Sequence, residues 1–193
     1  MVDLQLYLER GRPVWRKPLS FSATGGDRIR LNGHNGAGKS LLIRHLRGGR
    51  ELASSGTVAC SKHESMLLRA ETEVSHEPRS LLQLAHEKLP DFSECELRRL
   101  LGSYGYRGER VFDRQANLSA GERIRLQILL ATAGKITPGF CFFDEAEVGL
   151  DFESRLAVAD FLRRFMGVVV FATHDDLFAR RIEATLEVTL ERS

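Results

Sequence analysis

The stretch Gly33-His34-Asn35-Gly36-Ala37-Gly38-Lys39-Ser40 fits G-x-x-x-x-G-K-[ST], and its surroundings constrain the fold more than any other feature of the chain. Ile29-Arg30-Leu31 before it reads as a short strand, and Lys39 to Arg47 after it has the apolar spacing of a helix. A strand, a glycine-rich turn and a helix in that order make a phosphate cradle. Glycines let backbone N–H groups wrap phosphate oxygens, and the helix N-terminus adds positive potential. Lys39 can reach β- and γ-phosphates, and Ser40 offers a hydroxyl to Mg²⁺. The residues predicted to contact nucleotide are therefore Gly33, His34, Asn35, Gly36, Ala37, Gly38, Lys39 and Ser40, with Leu41 beside them.

Around this unit, Val2, Leu4, Leu6 and Leu8 alternate with polar residues, as do Leu19, Phe21 and Ala23, which predicts half-buried antiparallel strands near the N-terminus. Gly56 to Leu68 also reads as strand. Between about 71 and 117 the apolar residues recur at helical spacing (Leu81, Leu82, Ala85; Leu97, Leu100, Leu101), which predicts a helical insertion. From Leu118 onward, helix (Gly121 to about Thr132), strand (Phe140 to Phe143), helix (Phe152 to Phe165), strand (Val168 to Ala172) and helix (Asp176 to Arg181) alternate, with Thr185 to Leu190 as a final strand. Such alternation implies crossover connections and a mainly parallel sheet. The expected architecture is an α/β fold with one domain over 1–193.

A chain of 193 residues with a 42% apolar fraction can bury a sizeable core. The longest apolar runs, Gly139 to Phe143 and Met166 to Ala172, are too short to cross a bilayer, and no secretory h-region opens the chain. A cytoplasmic protein without direct membrane insertion is expected. Cys60, Cys95 and Cys141 have no CxxC pairing, which suggests neither a disulfide framework nor a zinc site. The net charge of +2 argues against a strongly basic nucleic-acid binder. Two arginine groups, Arg44, Arg47 and Arg50 and then Arg98, Arg99, Arg107 and Arg110, read first as solvated helix faces and second as contacts for RNA or anionic lipid.

Three further segments carry chemistry. Leu118-Ser119-Ala120-Gly121-Glu122 opens an amphipathic helix; by itself Ser119 with Glu122 is an ordinary capping box. Phe140-Cys141-Phe142-Phe143-Asp144-Glu145 is an apolar strand ending in two carboxylates, suited to hold Mg²⁺ through Asp144 and to orient or deprotonate a water through Glu145. Val168 to Ala172 is followed by Thr173-His174-Asp175.

Together with Gly33 to Ser40, these segments resemble the ATP-binding-cassette (ABC) ATPases. Leu118 to Glu122 resembles the signature motif, with Ala120 in place of its first glycine; Asp144 and Glu145 resemble a Walker B pair; Val148-Gly149-Leu150-Asp151 resembles the D-loop; His174 stands at the switch-histidine position. The resemblance is closest to a single cassette of the ABC-F branch, soluble proteins that mostly act on ribosomes, in translation or antibiotic resistance. It rests on Pro18 to Phe21, Leu97 to Gly108, Leu118 to Leu126 and Gly167 to Phe178.

The fold so implied is a P-loop NTPase of ABC type, with an N-terminal antiparallel β subdomain and the helical insertion at about 71–117. The implied activity is hydrolysis of ATP to ADP and phosphate, with Mg²⁺ held by Ser40, Asp144 and, at the Q-loop position, Glu71. Glu145 and His174 would be catalytic, while Ser119, Gly121 and Asp151 would close on nucleotide across a dimer of cassettes. The partner is a second cassette, as a homodimer or in another protein, and beyond it either the ribosome or a membrane transporter subunit. Two alternatives stay open: the ATP-binding subunit of an ABC membrane transporter, and a regulatory module that holds ATP with little turnover. Glu71 motivates the second, since a carboxylate cannot donate as the usual glutamine amide does. After Glu145 the family usually has Pro-Thr-Asn-His-Leu-Asp, where this chain has Ala146-Glu147-Val148-Gly149-Leu150-Asp151. Tyr7 and Trp15 are candidates to stack on adenine, each with an ordinary packing role as its alternative.

Overall fold

Val168–Ala172 is apolar at every position and buried along its whole length, as a strand covered on both faces must be. In the computed structural model, which describes residues 1–59, 65–69 and 79–193, this strand (β6) lies at the centre of a five-stranded sheet. The order is β4 (Ser65–Leu68), β5 (Phe140–Asp144), β6, β2 (Arg28–Asn32) and β7 (Leu186–Thr189). Every neighbouring pair is parallel. The expected mainly parallel α/β sheet is present.

Alternation along the strands sends side chains to two cores. Cys141, Phe143, Val169 and Phe171 pack on one face with Val158, Leu162 and Phe178, from helices α5 (Phe152–Arg164) and α6 (Asp176–Ile182). Phe142, Val168, Val170 and Ala172 pack on the other with Leu42 and Ile43 of α1 (Lys39–Leu46) and with Leu4 and Leu6 of β1 (Val2–Tyr7). A third core gathers Leu81, Leu82 and Ala85 of α2 (Leu81–Lys88), and Leu97 and Leu101 of α3 (Glu94–Ser103). The helix α4 (Ala120–Thr132) belongs to two of these cores, placing Ile124 and Ile128 against the sheet and Leu126 and Leu129 against α2 and α3. The expected insertion begins outside the described residues; from 79 on it consists of α2, α3 and short 3₁₀ turns.

The N-terminal sheet is smaller than its alternation suggests. β1 pairs antiparallel with β3 (Ala53–Thr57), with a register shift between Val2 and Gln5. Residues 19–23 form no strand: Leu19 makes a single bridge to Leu4. The reason is local. Asp3 takes φ +46°, and its N–H goes to the Ser20 hydroxyl rather than into a ladder. At Gly56 a Cβ would lie 2.2 Å from the Asp3 carbonyl oxygen, so this crossing requires glycine. No helix among the described residues is long and apolar enough to cross a membrane.

Candidate nucleotide-phosphate site

In the parallel register, Leu31 lies opposite Ala172, Asp144 opposite Ala172, and Leu68 opposite Phe143. The C-terminal ends of four strands therefore meet at one edge, where open α/β sheets bind ligands. The glycine-rich loop leaves β2 at this edge. Gly36 and Gly38 take φ +78° and +99°, and Gly38 caps α1 with the left-handed geometry that a side chain rarely adopts. His34, Asn35 and Gly36 are exposed on the lip of the loop, while Ala37 is fully buried beneath it. Leu41 is partly buried one turn into α1.

Lys39 is only 5% exposed, and its ammonium group gathers three partners. Nζ donates to the Gly33 carbonyl at 2.9 Å and lies 2.9 Å from His174 Nε2 and 3.0 Å from Glu145 Oε1. His174 Nε2 is itself 3.1 Å from Glu145 Oε1. Beside this trio the Ser40 hydroxyl donates to Asp144 Oδ1 at 3.0 Å. Lys39, Ser40, Asp144, Glu145 and His174, from three separate parts of the chain, form one cluster. Glu145 holds φ +49°, a left-handed backbone unusual for a residue with a side chain, and its N–H donates to the Ala172 carbonyl at 3.0 Å. That turn directs the carboxylate back across the strand end toward Lys39.

Ser119, Gly121 and Asp151 form a second group where α4 meets α5. Ser119 caps α4 in a reciprocal box with Glu122: its hydroxyl accepts from the Glu122 N–H at 3.3 Å, and its own N–H donates to Glu122 Oε2 at 2.9 Å. Arg110 Nη2, 2.7 Å from Glu122 Oε1, holds the Glu122 carboxyl below its ordinary pKa. Asp151 caps α5 by accepting from the Ser154 N–H at 2.7 Å, a bond that lowers its pKa as well. At Gly121 a Cβ would stand 2.5 Å from Ser154 Oγ, so glycine is what lets the two helix starts touch. Val148 and Phe152, flanking Gly149, are 68% and 74% exposed, an apolar pair on the outside of this junction.

Several contacts in and around the site are set by the tertiary structure. Trp15 is 1% exposed, and its indole N–H donates to the Ala37 carbonyl at 2.9 Å, so it braces the loop from below and offers no free face for stacking. Tyr7 lies on β1 with its hydroxyl 3.1 Å from Ser55 Oγ. Arg69 Nη2 lies 3.1 Å from Asp144 Oδ2. A basic residue closing an apolar strand was the available hint, but only the β4–β5 register puts it beside Asp144. The buried Glu147, 4% exposed, accepts a hydrogen bond from the Thr173 hydroxyl next to His174. Glu71 lies outside the described residues.

Comparison with known proteins identifies the family. Residues 16–148 match the family model described as ABC transporter. The chain is 36% identical over 168 residues to "Probable ATP-binding protein YheS" of Escherichia coli strain K12, covering 81% of the chain and 24% of that relative. It is 32% identical over 186 residues to "ATP-binding cassette sub-family F member 3" of Mus musculus, covering 93% of the chain and 25% of that relative. The chain thus spans about a quarter of the length of these relatives. Among solved structures, an inward-facing metal-chelate type ABC transporter aligns with 98% of this chain and 80% of its own, at TM-score 0.69 and 18% identity, a likeness of fold. With the family model matched over most of its length and relatives of sub-family F on either side of one-third identity, this chain belongs to the ABC transporter family as an ATP-binding cassette domain related to the ABC-F proteins.

Proposed function

We propose that this chain binds Mg-ATP at Gly33–Ser40 and hydrolyses it to ADP and phosphate when paired with a second cassette, in the manner of an ABC-F protein. The observation that carries the reading is the convergence of Lys39 Nζ, Glu145 Oε1 and His174 Nε2 within 3.1 Å of one another at the mouth of the glycine loop. In this resting arrangement each group satisfies another. A γ-phosphate offers Lys39 a better partner than Glu145, which then becomes free to accept a proton from an attacking water. His174, half exposed beside it, can hold that water or the phosphate by its ring nitrogen.

The residues present fit a hard divalent cation. The Ser40 hydroxyl and an Asp144 oxygen lie 3.0 Å apart, both oxygen donors, and Mg²⁺ in nucleotide sites uses one or two such protein ligands together with phosphates and water. When bound, Mg²⁺ neutralises charge on the β- and γ-phosphates. Glu71 is proposed as a further ligand through water.

Partner pairing follows from the second group. The start of α4 carries the exposed Ser119 over the buried Gly121, a helix N-terminus is the kind of place that binds anions, and the apolar Val148 and Phe152 stand exposed nearby. These features suit closure on the ATP of another cassette, with the ribosome as the target of the motion. Phosphate release by purified protein with Mg-ATP tests the reading. Glu145→Gln is expected to cut turnover by at least about a hundredfold while leaving ATP binding intact. Equal turnover in both proteins would overturn the role of Glu145, and no turnover in either would leave ATP storage as the function. A Glu145→Gln protein trapped with ATP should sediment with ribosomes; co-purification with a polytopic membrane protein would favour the transporter reading instead.

A further inference from the structure

The Asp144 side chain is 8% exposed and has both carboxylate oxygens occupied: Oδ1 by the Ser40 hydroxyl at 3.0 Å and Oδ2 by Arg69 Nη2 at 3.1 Å. The second contact is built rather than incidental. Leu68 and Phe143 are register partners in parallel strands, so Arg69 and Asp144 are the next residues out at the same sheet edge. The Arg69 backbone is clamped from α4, where Gln127 accepts from its N–H at 3.2 Å and donates to its carbonyl at 3.1 Å. Those two bonds fix where the side chain starts, and the guanidinium reaches Asp144 with a third of its surface still open to solvent.

A guanidinium stays charged at any ordinary pH, whereas a divalent ion at Ser40 and Asp144 would need carboxylate oxygens that are now engaged by the Ser40 hydroxyl and Arg69. Like charges would then crowd one carboxylate. We propose that Arg69 is a resident counter-cation of the Ser40–Asp144 site, which a divalent metal must displace, so that Arg69 sets how much metal this protein needs. The proposal rests on the reading of Ser40 and Asp144 as metal ligands, and it concerns the nucleotide-free protein. In that state Arg69 neutralises Asp144 and keeps metal out; metal arriving with a nucleotide brings phosphate oxygens with it and can compete. Arg69 is thus a positioning residue that acts through Asp144.

The test is a Mn²⁺ titration of nucleotide-free protein, followed by loss of the free-ion electron paramagnetic resonance signal. Arg69→Gln is expected to bind Mn²⁺ about tenfold more tightly than the native protein, the scale on which a neighbouring cation perturbs a carboxylate. Arg69→Lys, which keeps the charge, should stay within about threefold of native. Adding Asp144→Asn to Arg69→Gln should abolish the gain, locating the ion. Unchanged or weaker Mn²⁺ binding by Arg69→Gln would sink the proposal. Circular dichroism establishes that each variant is folded; Arg69→Met, which retains the aliphatic stem, replaces a Gln variant that is not, and unfolding of both would make Arg69 purely structural and equally overturn it. Binding of a fluorescent ATP analogue is measured separately. Failure there with a tenfold Mn²⁺ gain refutes the ATP reading alone, and the reverse pattern refutes only the counter-cation.

Discussion

At Gly38 one hydrogen atom in place of a side chain keeps the phosphate loop and its brace compatible. A Cβ there would lie 2.9 Å from both Trp15 Nε1 and Val14 Cγ1, on a backbone at φ +99°. Gly38→Ala is expected to cost about 2–3 kcal/mol, from overpacking and positive φ together. Urea unfolding followed through Trp15, the sole tryptophan, measures it. Glu147 makes a different point. In the sequence it reads as one of several acids after a strand; in the structure it is buried, with Oε1 bonded to the Thr173 hydroxyl and Oε2 without a partner. Thr173→Val removes the only donor to that carboxyl among the described residues and is expected to destabilise the protein by about 1–3 kcal/mol. Calorimetric melting gives the value, and a change below about 0.5 kcal/mol would mean the carboxyl finds water. The loop and the acid pair were legible because each is a contiguous pattern. Arg69, Trp15 and Glu147 were not, because their partners, Asp144, Ala37 and Thr173, lie far from them along the chain.

At the level of elements, α4 shows why one motif supported two readings. Ser119 and Glu122 do form a capping box, and Ser119 is exposed while Gly121 is packed against Ser154. Capping and ligand binding both draw on unpaired N–H groups at a helix N-terminus, so the residues suited to one suit the other. Gly121→Ala separates them. It leaves the box in place but pushes a methyl into Ser154 Oγ, with an expected cost of about 1–3 kcal/mol that Ser154→Ala should partly recover, read from denaturant midpoints of the double-mutant cycle. The far end of α5 depends on Arg28, 5% exposed, which donates to the carbonyls of Arg163, Phe165 and Gly167. Burial lowers its pKa, yet it stays charged, as a cation at a helix C-terminus should. Arg28→Met removes the donors to the Arg163 and Phe165 carbonyls, while Gly167 keeps the Gly26 N–H, and is expected to cost about 2–4 kcal/mol by chemical denaturation. Strand and helix positions were largely readable from apolar period. The missing strand at 19–23 was not, because alternation reports burial, and Ser20 bonds the Asp3 backbone with its side chain instead of extending a ladder.

Across the whole molecule, surface ion pairs tie the elements around the sheet. Arg181 holds Asp160 between α6 and α5, Arg30 holds Asp176 between β2 and α6, and Arg110 holds Glu122 at the start of α4, each lowering the carboxyl pKa. A carboxyl with a lowered folded pKa contributes stability above its unfolded value, and that stability is lost as pH falls through the folded value. The melting temperature should therefore hold on the neutral side and fall below about pH 4, where unfolded carboxylates titrate. Asp160→Asn should lower it at pH 7 and make the acid fall shallower; a parallel curve would show that Arg181 contributes nothing there. The sequence alone determined the ATP-binding-cassette family and the α/β class, because glycine loops, capping boxes and apolar periods are local patterns within one turn or one strand. Only the tertiary structure decided that α4 joins two cores, that Trp15 lies under the loop, and that Arg69 meets Asp144. Those outcomes depend on which strands become neighbours and in what register, and that choice is made by the packing of residues far apart in the chain.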